Sequence, residues 1–356
     1  MSNIKHLARE TVQALTPYLS ARRIGGSGEV WLNANEAPEC SEYQLDSSNL
    51  NRYPEFQPPQ LINAYADYAN LKNTQVLSTR GADESIEILI RTFCEPGSDS
   101  ILICPPTYGM YAISAETCGV GIEQVALDSN FDVDYETVTE AVLDPEKQIK
   151  IVFLCAPNNP TGNMLDKQKL IALLEATQGK ALIVADEAYI EFCPELSQAD
   201  LIDLHENLVI TRTLSKAFAL AAIRCGFTLA QTSVIEMLSK VIAPYPMSDP
   251  VAQIATQALS IDGLAVMKAR VNTLNNNRSI LQNALQKLDC VVEVFPATGN
   301  FILVRFQDSA AIFKAFADDG IIMRDFATKA RLENCIRITI GSEAEMERTL
   351  NTLNSL

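Results

Sequence analysis

The stretch N-L-V-I-T-R-T-L-S-K-A-F-A-L-A-A-I-R-C-G, residues 207–226, indicates both the fold and the chemistry of the chain. Its apolar, β-branched start predicts a buried strand at 208–210, and the alanine-rich segment 217–222 is expected to form a helix. Lys216 would then lie where the strand gives way to the helix. A lysine packed there against apolar residues loses water, which lowers the pKa of its ammonium group toward that of a free amine. The alternative is a solvated lysine at the start of a helix.

The same alternation of a short apolar strand and a helix runs through the preceding part of the chain. Further strands are predicted at 76–78, 100–103, 149–155 and 181–185. Apolar strands that are each followed by a helix indicate a mostly parallel sheet covered by helices on both faces. After about residue 245 the pattern changes: a long helical region at 250–287 precedes strands predicted at 291–295, 301–306, 321–324 and 335–340. A helix is predicted at 309–318 and a terminal helix at 343–353. That part of the chain is expected to form a smaller α+β domain.

Length and pattern together predict an α/β protein with more than one domain. A single core stops growing near about 250–300 residues, and this chain has 356. Near the start, an amphipathic helix ends at Pro17 and a segment rich in glycine and arginine follows. We expect an N-terminal arm at 1–29, a smaller domain built from 30–48 and 262–356, and a large domain at 49–261.

Composition argues against several kinds of partner. The formal net charge is −16 and the basic residues are scattered, so the field of the chain repels nucleic acid and anionic membranes. No apolar run reaches the roughly 18 residues of a membrane span, and the first residues lack the apolar core of a signal peptide, so a cytoplasmic protein is expected. The nine cysteines lack C-x-x-C spacing and there are only two histidines. Neither a metal site nor a histidine-based mechanism is expected.

Polar and charged side chains follow directly after the predicted strands. In an open α/β sheet, ligands bind beyond the carboxyl ends of the strands, so these residues are expected to share one site. They supply a lysine, a buried carboxylate, an amide, tyrosine rings and a helix start that attracts anions. They are Gly81, Ala82, Asp83, Glu84, Tyr108, Asn158, Asn159, Asp186, Tyr189, Ser215, Lys216 and Arg224.

Several of these residues also have a purely structural interpretation. Asp186 follows an apolar strand and needs a cationic partner, which is Lys216, an arginine or a protonated ring nitrogen of a ligand. The helix start at 81–84 is either an anion site or an ordinary helix N-terminus. The loop N-N-P-T-G is either part of a site or a simple turn. Arg224 either reaches the pocket of Lys216 or lies on the surface.

In combination, these residues match the requirements of pyridoxal phosphate. This cofactor needs a lysine that holds its aldehyde as a Schiff base and a carboxylate that keeps its ring nitrogen protonated. It also needs N–H, hydroxyl and arginine groups around its phosphate, and an aromatic ring on which to stack. The sequence supplies each of these groups at the end of a predicted strand.

Several segments resemble those of the fold type I pyridoxal-phosphate aminotransferases. They are A-P-N-N-P-T-G, D-E-A-Y-I-E-F, T-L-S-K-A-F-A-L-A-A-I-R-C-G, R-G-A-D-E and P-P-T-Y-G-M-Y. More narrowly, L-N-A-N-E-A-P, N-R-Y-P-E, L-T-P-Y-L-S-A-R-R and C-I-R-I-T-I-G are similar to segments of the histidinol-phosphate aminotransferases. The resemblance covers about residues 5–350. It implies a large sheet domain, a smaller α+β domain and pyridoxal phosphate as the cofactor.

The resemblance implies a role for each residue of the expected site. Lys216 would bind the cofactor as a Schiff base and then act as general base and acid in a 1,3-proton shift. Asp186 would pair with the pyridinium nitrogen, and Tyr108 would stack on the ring. Asn159 and Tyr189 would contact the ring 3-oxygen. The phosphate would be held by Gly81, Ala82, Asp83, Thr213, Ser215 and Arg224.

The same resemblance implies a homodimer and anionic substrates. Tyr53 would reach the cofactor of the other subunit. Arg337 would bind the carboxylate of glutamate, and the same region would receive the phosphate of histidinol phosphate. The residues expected to assist there are Arg324, Tyr18 and Arg22. Two positions depart from the family pattern, Ala222 and Gly299, and both affect backbone geometry rather than a functional group.

The activity implied by the resemblance is reversible amino-group transfer between histidinol phosphate and 2-oxoglutarate, which gives imidazole acetol phosphate and glutamate. This is a step of histidine biosynthesis. Two alternatives keep the fold and the cofactor, namely an aromatic amino acid aminotransferase and a threonine-phosphate decarboxylase. A third alternative is a binding module without catalysis, which would predict loss of Lys216 or Asp186, and both residues are present.

Overall fold

Thirteen strands and eleven α-helices are formed by residues 4–16 and 27–355, the part of the chain that the computed structural model describes. The strands are β1 (Val30–Trp31), β2 (Val76–Thr79), β3 (Ser100–Ile103), β4 (Gly121–Gln124), β5 (Ile149–Cys155), β6 (Leu182–Asp186), β7 (Leu208–Thr213), β8 (Gly226–Ala230), β9 (Val291–Val294), β10 (Phe301–Phe306), β11 (Ile321–Ile322), β12 (Arg324–Asp325) and β13 (Cys335–Thr339). The α-helices are α1 (Glu10–Ala14), α2 (Pro59–Ala69), α3 (Ala82–Phe93), α4 (Met110–Cys118), α5 (Tyr135–Leu143), α6 (Lys167–Ala176), α7 (Thr232–Leu238), α8 (Asp249–Ala258), α9 (Ile261–Leu285), α10 (Ser309–Asp318) and α11 (Glu343–Asn354).

The large part of the molecule is built on a seven-stranded sheet with the order β2-β8-β7-β6-β5-β3-β4. The neighbours from β7 across to β4 run parallel. Only β8 breaks the pattern, because it is antiparallel to both β2 and β7. The prediction of a mostly parallel sheet is therefore confirmed.

Helices cover both faces of this sheet because its central strands are apolar on both sides. In β5, Ile151 and Phe153 belong to a core that includes residues of α3, α4 and α7. Val152 and Leu154 belong to the opposite core, with residues of α2, α5 and α6. Successive side chains of a strand point to opposite faces. Burial on both faces thus explains why β5 is a continuous apolar run.

The smaller part of the molecule contains a four-stranded antiparallel sheet with the order β12-β13-β10-β9. The N-terminal segment joins it, since β1 pairs in parallel with β11. The amide of Leu32 also donates to the carbonyl of Ile322 (2.7 Å), and the carbonyl of Leu32 accepts from the amide of Thr339 (3.0 Å). Among the residues described, no helix has the length and apolar character needed to cross a bilayer.

The helix predicted at 217–222 is wrong. After β7 the chain turns, and only the short 3₁₀-helix Ala221–Ile223 follows. The amide of Leu214 donates to the carbonyl of Cys225, and the amide of Leu220 donates to the carbonyl of Leu214. These bonds fold the segment back on itself and lead it into β8. The pairing of β8 with its neighbours overrides the helical preference of the alanine-rich sequence.

Other differences follow from weak local signals. The strands β4 and β8 and the helices α5 and α7 were not predicted. Near the start of the chain, one amphipathic helix was expected, but the structure has a short 3₁₀-helix at Ile4–Leu7 and then α1. β8 reads G-F-T-L-A and is fully buried, yet a five-residue run with a glycine resembles many loops.

Candidate active site

Lys216 lies in the turn after β7, with its amine directed at backbone rather than at a carboxylate. Its Nζ donates a hydrogen bond to the carbonyl of Ala34 (3.0 Å) and lies 5.5 Å from the ring centroid of Tyr189. Burial is the main cause that lowers the pKa of Lys216 to about 8, and the positive charge of Arg337 adds to it. The free amine, which a nucleophilic lysine requires, is therefore far more populated near neutral pH than in an ordinary lysine, and it predominates above a pH of about 8.

Asp186 is the last residue of β6, and its carboxylate is buried. It forms no ion pair with any residue in 4–16 or 27–355. Instead, the hydroxyl of Tyr111 donates to its Oδ2 (2.6 Å) and the amide of Ala188 donates to its Oδ1 (3.1 Å). Burial raises the pKa of Asp186 to about 6, and these hydrogen bonds oppose the rise. Both donors are neutral, so the carboxylate is suited to a cationic group of a ligand.

The hydroxyl of Tyr189 connects three regions of the chain. The side-chain amides of Asn159 (3.2 Å) and Asn35 (3.1 Å) both donate to it. The carbonyl oxygen of the Asn159 side chain accepts from Nη1 of Arg337 (2.6 Å). The structure therefore brings together Lys216, Tyr189, Asn159 and Arg337 in one continuous set of contacts.

A second group of residues forms a cradle at the start of α3. Arg224 bridges it, donating to Oδ2 of Asp83 (3.3 Å) and to the hydroxyl of Ser215 (3.1 Å). The hydroxyl of Tyr108 donates to Oδ1 of Asp83 (2.9 Å), and the hydroxyl of Thr213 donates to that of Ser215 (2.8 Å). Backbone N–H groups at the start of a helix, hydroxyls and a guanidinium together bind a phosphate well.

Two glycines let the backbone approach this cradle. Gly81 precedes α3 with φ of 80°, and a Cβ atom there would lie 2.5 Å from Nη2 of Arg224. Gly226 begins β8, and a Cβ atom there would lie 2.6 Å from the carbonyl carbon of Gly81 and 2.7 Å from the amide nitrogen of Ala82. Neither position has space for a side chain, so the space of the cradle depends on both.

Two arginines of the smaller sheet face each other across neighbouring strands. Arg324 on β12 and Arg337 on β13 are direct partners in the antiparallel register. Arg337 is buried, lies 5.6 Å from the ring of Phe301, and donates through Nη2 to the carbonyl of Asn33 (2.8 Å). Like charges at opposed positions of a sheet repel. A bound carboxylate or phosphate would relieve that repulsion.

Three of the predicted residues are not placed at this site by the structure. Tyr53 is 81% exposed and stacks on Tyr245, with ring centroids 4.5 Å apart. Tyr18 and Arg22 lie outside the described residues.

The two departures from the family pattern have separate consequences. The positive φ angles of the lysine turn are at Ala219 and Arg224 rather than at Ala222, so a glycine is not required at 222. The carbonyl of Gly299 accepts from Nη1 of Arg278 (2.6 Å), and a Cβ atom at Gly299 would lie 2.9 Å from the ring of Phe301.

Three residues of the site are not predicted from the sequence. They are Asn35, Tyr111 and Gly226. Tyr111 and Asn35 both lie in motifs that resemble the family, P-P-T-Y-G-M-Y and L-N-A-N-E-A-P, and these motifs were the available signal for both residues. Gly226 follows Arg224 closely, and a glycine at the start of a buried strand indicates close backbone approach.

Comparison with known proteins agrees with this geometry. Residues 25–353 match the family model described as aminotransferase class I and II. The chain is 60% identical over 351 residues to the histidinol-phosphate aminotransferase of Aeromonas salmonicida, covering 99% of this chain and 98% of that protein. It is 56% identical over 356 residues to the enzyme of the same name from Pectobacterium carotovorum, covering 100% of this chain and 99% of that protein.

Solved structures show the same fold. The histidinol-phosphate aminotransferase from Clostridium acetobutylicum aligns with a TM-score of 0.82 at 25% identity, covering 92% of this chain and 100% of that one. The enzyme from Sinorhizobium meliloti in complex with pyridoxal-5'-phosphate aligns with a TM-score of 0.84 at 22% identity, covering 98% of each chain. The prediction of a fold type I architecture is thus confirmed.

The residues present fit pyridoxal phosphate, the cofactor of this family. Asp186 is a buried carboxylate whose donors are neutral, Lys216 has a depressed pKa, and the cradle at Gly81 would be filled by a single Cβ atom. Asp186 suits the protonated ring nitrogen of the cofactor, Lys216 suits its aldehyde, and the cradle suits its phosphate. The chain belongs to the class I and II aminotransferases, and within them to the pyridoxal-phosphate-dependent histidinol-phosphate aminotransferases.

Proposed function

We propose that the chain transfers an amino group reversibly between L-histidinol phosphate and 2-oxoglutarate, giving imidazole acetol phosphate and L-glutamate, in L-histidine biosynthesis. The observation that carries the proposal is the pair of arginines at opposed positions, Arg324 and Arg337, connected through Asn159 to the lysine site. One substrate carries a phosphate and the other carboxylates. Guanidinium groups bind both kinds of anion through paired hydrogen bonds.

The chemistry of the reaction divides between the cofactor and the chain. When bound, pyridoxal phosphate supplies an aldehyde that accepts amino groups and a ring that delocalises the electrons left when a C–H bond breaks. Nζ of Lys216 removes and returns the proton of the substrate carbon, and its depressed pKa of about 8 suits both directions. The carbonyl of Ala34 orients that nitrogen.

Asp186 supplies the charge that the ring nitrogen needs. In this structure burial holds its pKa at about 6. A cationic partner within hydrogen-bond distance favours the charged carboxylate. Asp186 would therefore keep the ring nitrogen protonated, and Tyr111 would fix the carboxylate in place through its own hydrogen bond.

The remaining site residues would bind and orient. Arg224, Ser215 and Thr213, with Gly81, Ala82 and Asp83 at the start of α3, would hold the cofactor phosphate. Tyr108 would stack on the ring, and Tyr189 and Asn159 would contact its 3-oxygen. Arg337 would bind the glutamate carboxylate, and Arg324 would assist with the substrate phosphate, with Tyr18 and Arg22 as further candidates.

The proposal includes a dimeric, cytoplasmic enzyme. Support for the dimer comes from the exposed rings of Tyr53 and Tyr245, since stacked aromatic rings on a surface are typical of interfaces. Tyr53 would complete the site of the other subunit. We also propose that the chain divides into an arm at 1–29, a smaller domain at 30–48 and 262–356, and a large domain at 49–261. The pairing of β1 with β11 supports the assignment of 30–48.

Absorption spectroscopy of the purified protein tests this function. A visible band from the lysine-bound cofactor should convert to that of the aminated cofactor when histidinol phosphate or glutamate is added. The Lys216→Ala variant should show neither the initial band nor the conversion. If histidinol phosphate leaves the band unchanged while an aromatic amino acid converts it, the substrate assignment is wrong and the cofactor assignment stands. Release of carbon dioxide from threonine phosphate would point to the decarboxylase instead.

A further inference from the structure

Residues 33–35 contact three functional side chains of the site, although they lie far away in sequence. The contacts join Arg337 Nη2 to the carbonyl of Asn33 (2.8 Å), Lys216 Nζ to the carbonyl of Ala34 (3.0 Å), and Asn35 Nδ2 to the hydroxyl of Tyr189 (3.1 Å). One short segment thus meets the anion-binding arginine, the amine and the ring-oxygen tyrosine.

Asn35 is held rigidly at the centre of this segment. Its side chain is fully buried, and its backbone has a positive φ of 53°, which asparagine tolerates better than most residues. Its amide nitrogen donates to Oγ1 of Thr339 (3.0 Å), and the side-chain amide of Asn300 donates to its carbonyl (3.0 Å). The backbone of Asn35 is therefore fixed by residues of the smaller sheet.

The orientation of the Asn35 side chain follows from its partners. Oγ1 of Thr339 accepts from the Asn35 backbone, so its own hydrogen is directed to Oδ1 of Asn35 (3.1 Å). Only the NH₂ end of Asn35 then remains for Tyr189. Asn159 is fixed in the same way, because its Oδ1 accepts from Arg337 (2.6 Å) and its NH₂ end faces Tyr189.

The two amides that donate to the hydroxyl of Tyr189 determine whether that hydroxyl can still accept or donate a hydrogen bond. A phenolic oxygen has two acceptor positions and one hydrogen. Asn35 and Asn159 occupy both acceptor positions. The hydrogen of Tyr189 is then left to be donated to a further acceptor.

We propose that Asn35 is a positioning residue for the transamination site: its amide makes Tyr189 a fixed hydrogen-bond donor toward the bound cofactor, and its backbone holds the carbonyls that receive Lys216 and Arg337. The proposal rests on the function given above only in requiring pyridoxal phosphate. It does not depend on which amino donor the enzyme accepts. Asn35 acts through Tyr189 and need not touch the substrate.

A spectroscopic pH titration of the holoenzyme without substrate tests this role. A donor aimed at the 3-oxygen of the ring stabilises its unprotonated, anionic form. Weakening that donor should raise the pH at which the cofactor band changes. The charged groups that act on Lys216 in the same titration are Arg337, Glu36, Asp83 and Arg224, and all four are retained when residue 35 is substituted.

Two variants make the test robust to misfolding. Asn35→Asp keeps the shape and the tolerance of positive φ but replaces the NH₂ donor by an acceptor. Asn35→Gly also accepts this φ, and it removes the side chain without adding a charge. In both variants, we expect the pH midpoint of the titration to rise by about half a pH unit or more. We also expect kcat to fall about tenfold, the size of one lost hydrogen bond, with KM changed less.

The control is Asn70→Asp. Asn70 also has a positive φ (55°) and is exposed at the end of α2, so the same chemical change occurs far from Tyr189. Its titration midpoint should match that of the wild type. In a Tyr189→Phe background, Asn35→Gly should shift the midpoint no further, because its effect passes through the missing hydroxyl.

Failure of the positioning role and failure of the proposed substrate give different results. If folded Asn35→Asp and Asn35→Gly proteins bind the cofactor and titrate like the wild type, the positioning role is wrong. If Asn35→Gly still shifts the midpoint in the Tyr189→Phe background, the effect is general to the structure and the proposal also fails. Failure of the wild type to react with histidinol phosphate would overturn the proposed substrate and leave this titration unaffected.

Discussion

The hydroxyl of Tyr111 lies 2.6 Å from Oδ2 of Asp186, and both side chains are buried. The ring of Tyr111 stacks on Phe153, with centroids 4.8 Å apart and planes 7° apart, so packing holds the hydroxyl in place. Hydrogen bonds to charged groups are stronger than those between neutral groups. Tyr111 therefore favours the charged form of Asp186 against the effect of burial.

Tyr111→Phe is expected to weaken cofactor binding. Loss of the hydroxyl should raise the pKa of Asp186 further above its present value of about 6, so less of the carboxylate is charged at neutral pH. We expect the affinity of the apoenzyme for pyridoxal phosphate at pH 7 to fall about tenfold or more. The loss of affinity should be larger at pH 6 than at pH 8, since protonation removes the negative charge of Asp186.

Equilibrium binding of pyridoxal phosphate across this pH range measures the effect. The matched control is Tyr135→Phe, which removes a hydroxyl that accepts from the amide of Asp166 (3.0 Å) away from the site. Equal affinities of the wild type and Tyr111→Phe at pH 6 would show that the hydrogen bond does not lower the pKa of Asp186.

The depressed pKa of Lys216 predicts how the apoenzyme takes up its cofactor. Below a pH of about 8 the amine is mostly protonated and cannot attack the aldehyde; above it the free amine predominates. The rate of cofactor uptake should therefore rise with pH and level off above about 8. Stopped-flow absorbance gives this profile. A rate that keeps rising toward the ordinary lysine pKa of about 10.4 would contradict a buried, depressed amine.

Arg324 is expected to distinguish the two substrates. Arg324→Gln removes a guanidinium beside Arg337, and we expect KM for histidinol phosphate to rise about tenfold or more, with a smaller rise for glutamate. The control is Arg305→Gln on the same sheet, because Arg305 interacts with Glu293 and Glu333 instead. Equal increases for both substrates would argue that Arg324 has no preference for the phosphate.

Gly226 is expected to be intolerant of any side chain. In Gly226→Ala the new methyl group would meet the backbone of Gly81 and Ala82, so either β8 or the start of α3 must move. Overpacking of this kind costs roughly 1–3 kcal/mol of stability. The melting temperature of the apoenzyme and its affinity for pyridoxal phosphate should both decrease. Gly109→Ala is the control, since no atom lies within 4 Å of its Cβ position; comparable losses there would refute the steric argument.

The lysine turn predicts opposite effects for two neighbouring glycine substitutions. Ala219 has a positive φ of 59°, which costs an alanine about 1–2 kcal/mol. Ala219→Gly should therefore raise the melting temperature of the apoenzyme. Ala222→Gly should lower it, because Ala222 lies in the 3₁₀-helix Ala221–Ile223 and glycine there costs roughly 0.5–1 kcal/mol. The same sign for both variants would mean that φ is not the controlling factor.

Much of the fold could be predicted because long apolar runs and strong helix starts carry local signals. The strand predicted at 149–155 and the helix predicted at 309–318 agree with β5 and α10 at both ends. The edge of the sheet where the site lies was also predictable, since strand ends that carry Asp186 and Lys216 must meet in a parallel sheet.

The rest depends on contacts that no local pattern encodes. Asn35 and Tyr189 are 154 positions apart, and Asn35 is held in place by Thr339 and Asn300, which come later still in the chain. The turn after Lys216 has a helical composition, but its backbone bonds are made with Cys225 and lead into β8. In both cases tertiary structure decides what the local sequence leaves open. Which residues touch the bound cofactor stays a prediction.

The pairing of Asn35 with Thr339 also sets the order in which the enzyme can become active as it is synthesised. The two residues are 304 positions apart, which corresponds to roughly 15–60 s of translation at about 5–20 residues per second. The last strand of the large sheet ends at Ala230, so that sheet can form on the ribosome while β13 is still unmade. Lys216 is thus synthesised together with all strands of the large sheet well before Thr339, the residue of β13 that fixes Asn35 beside Tyr189.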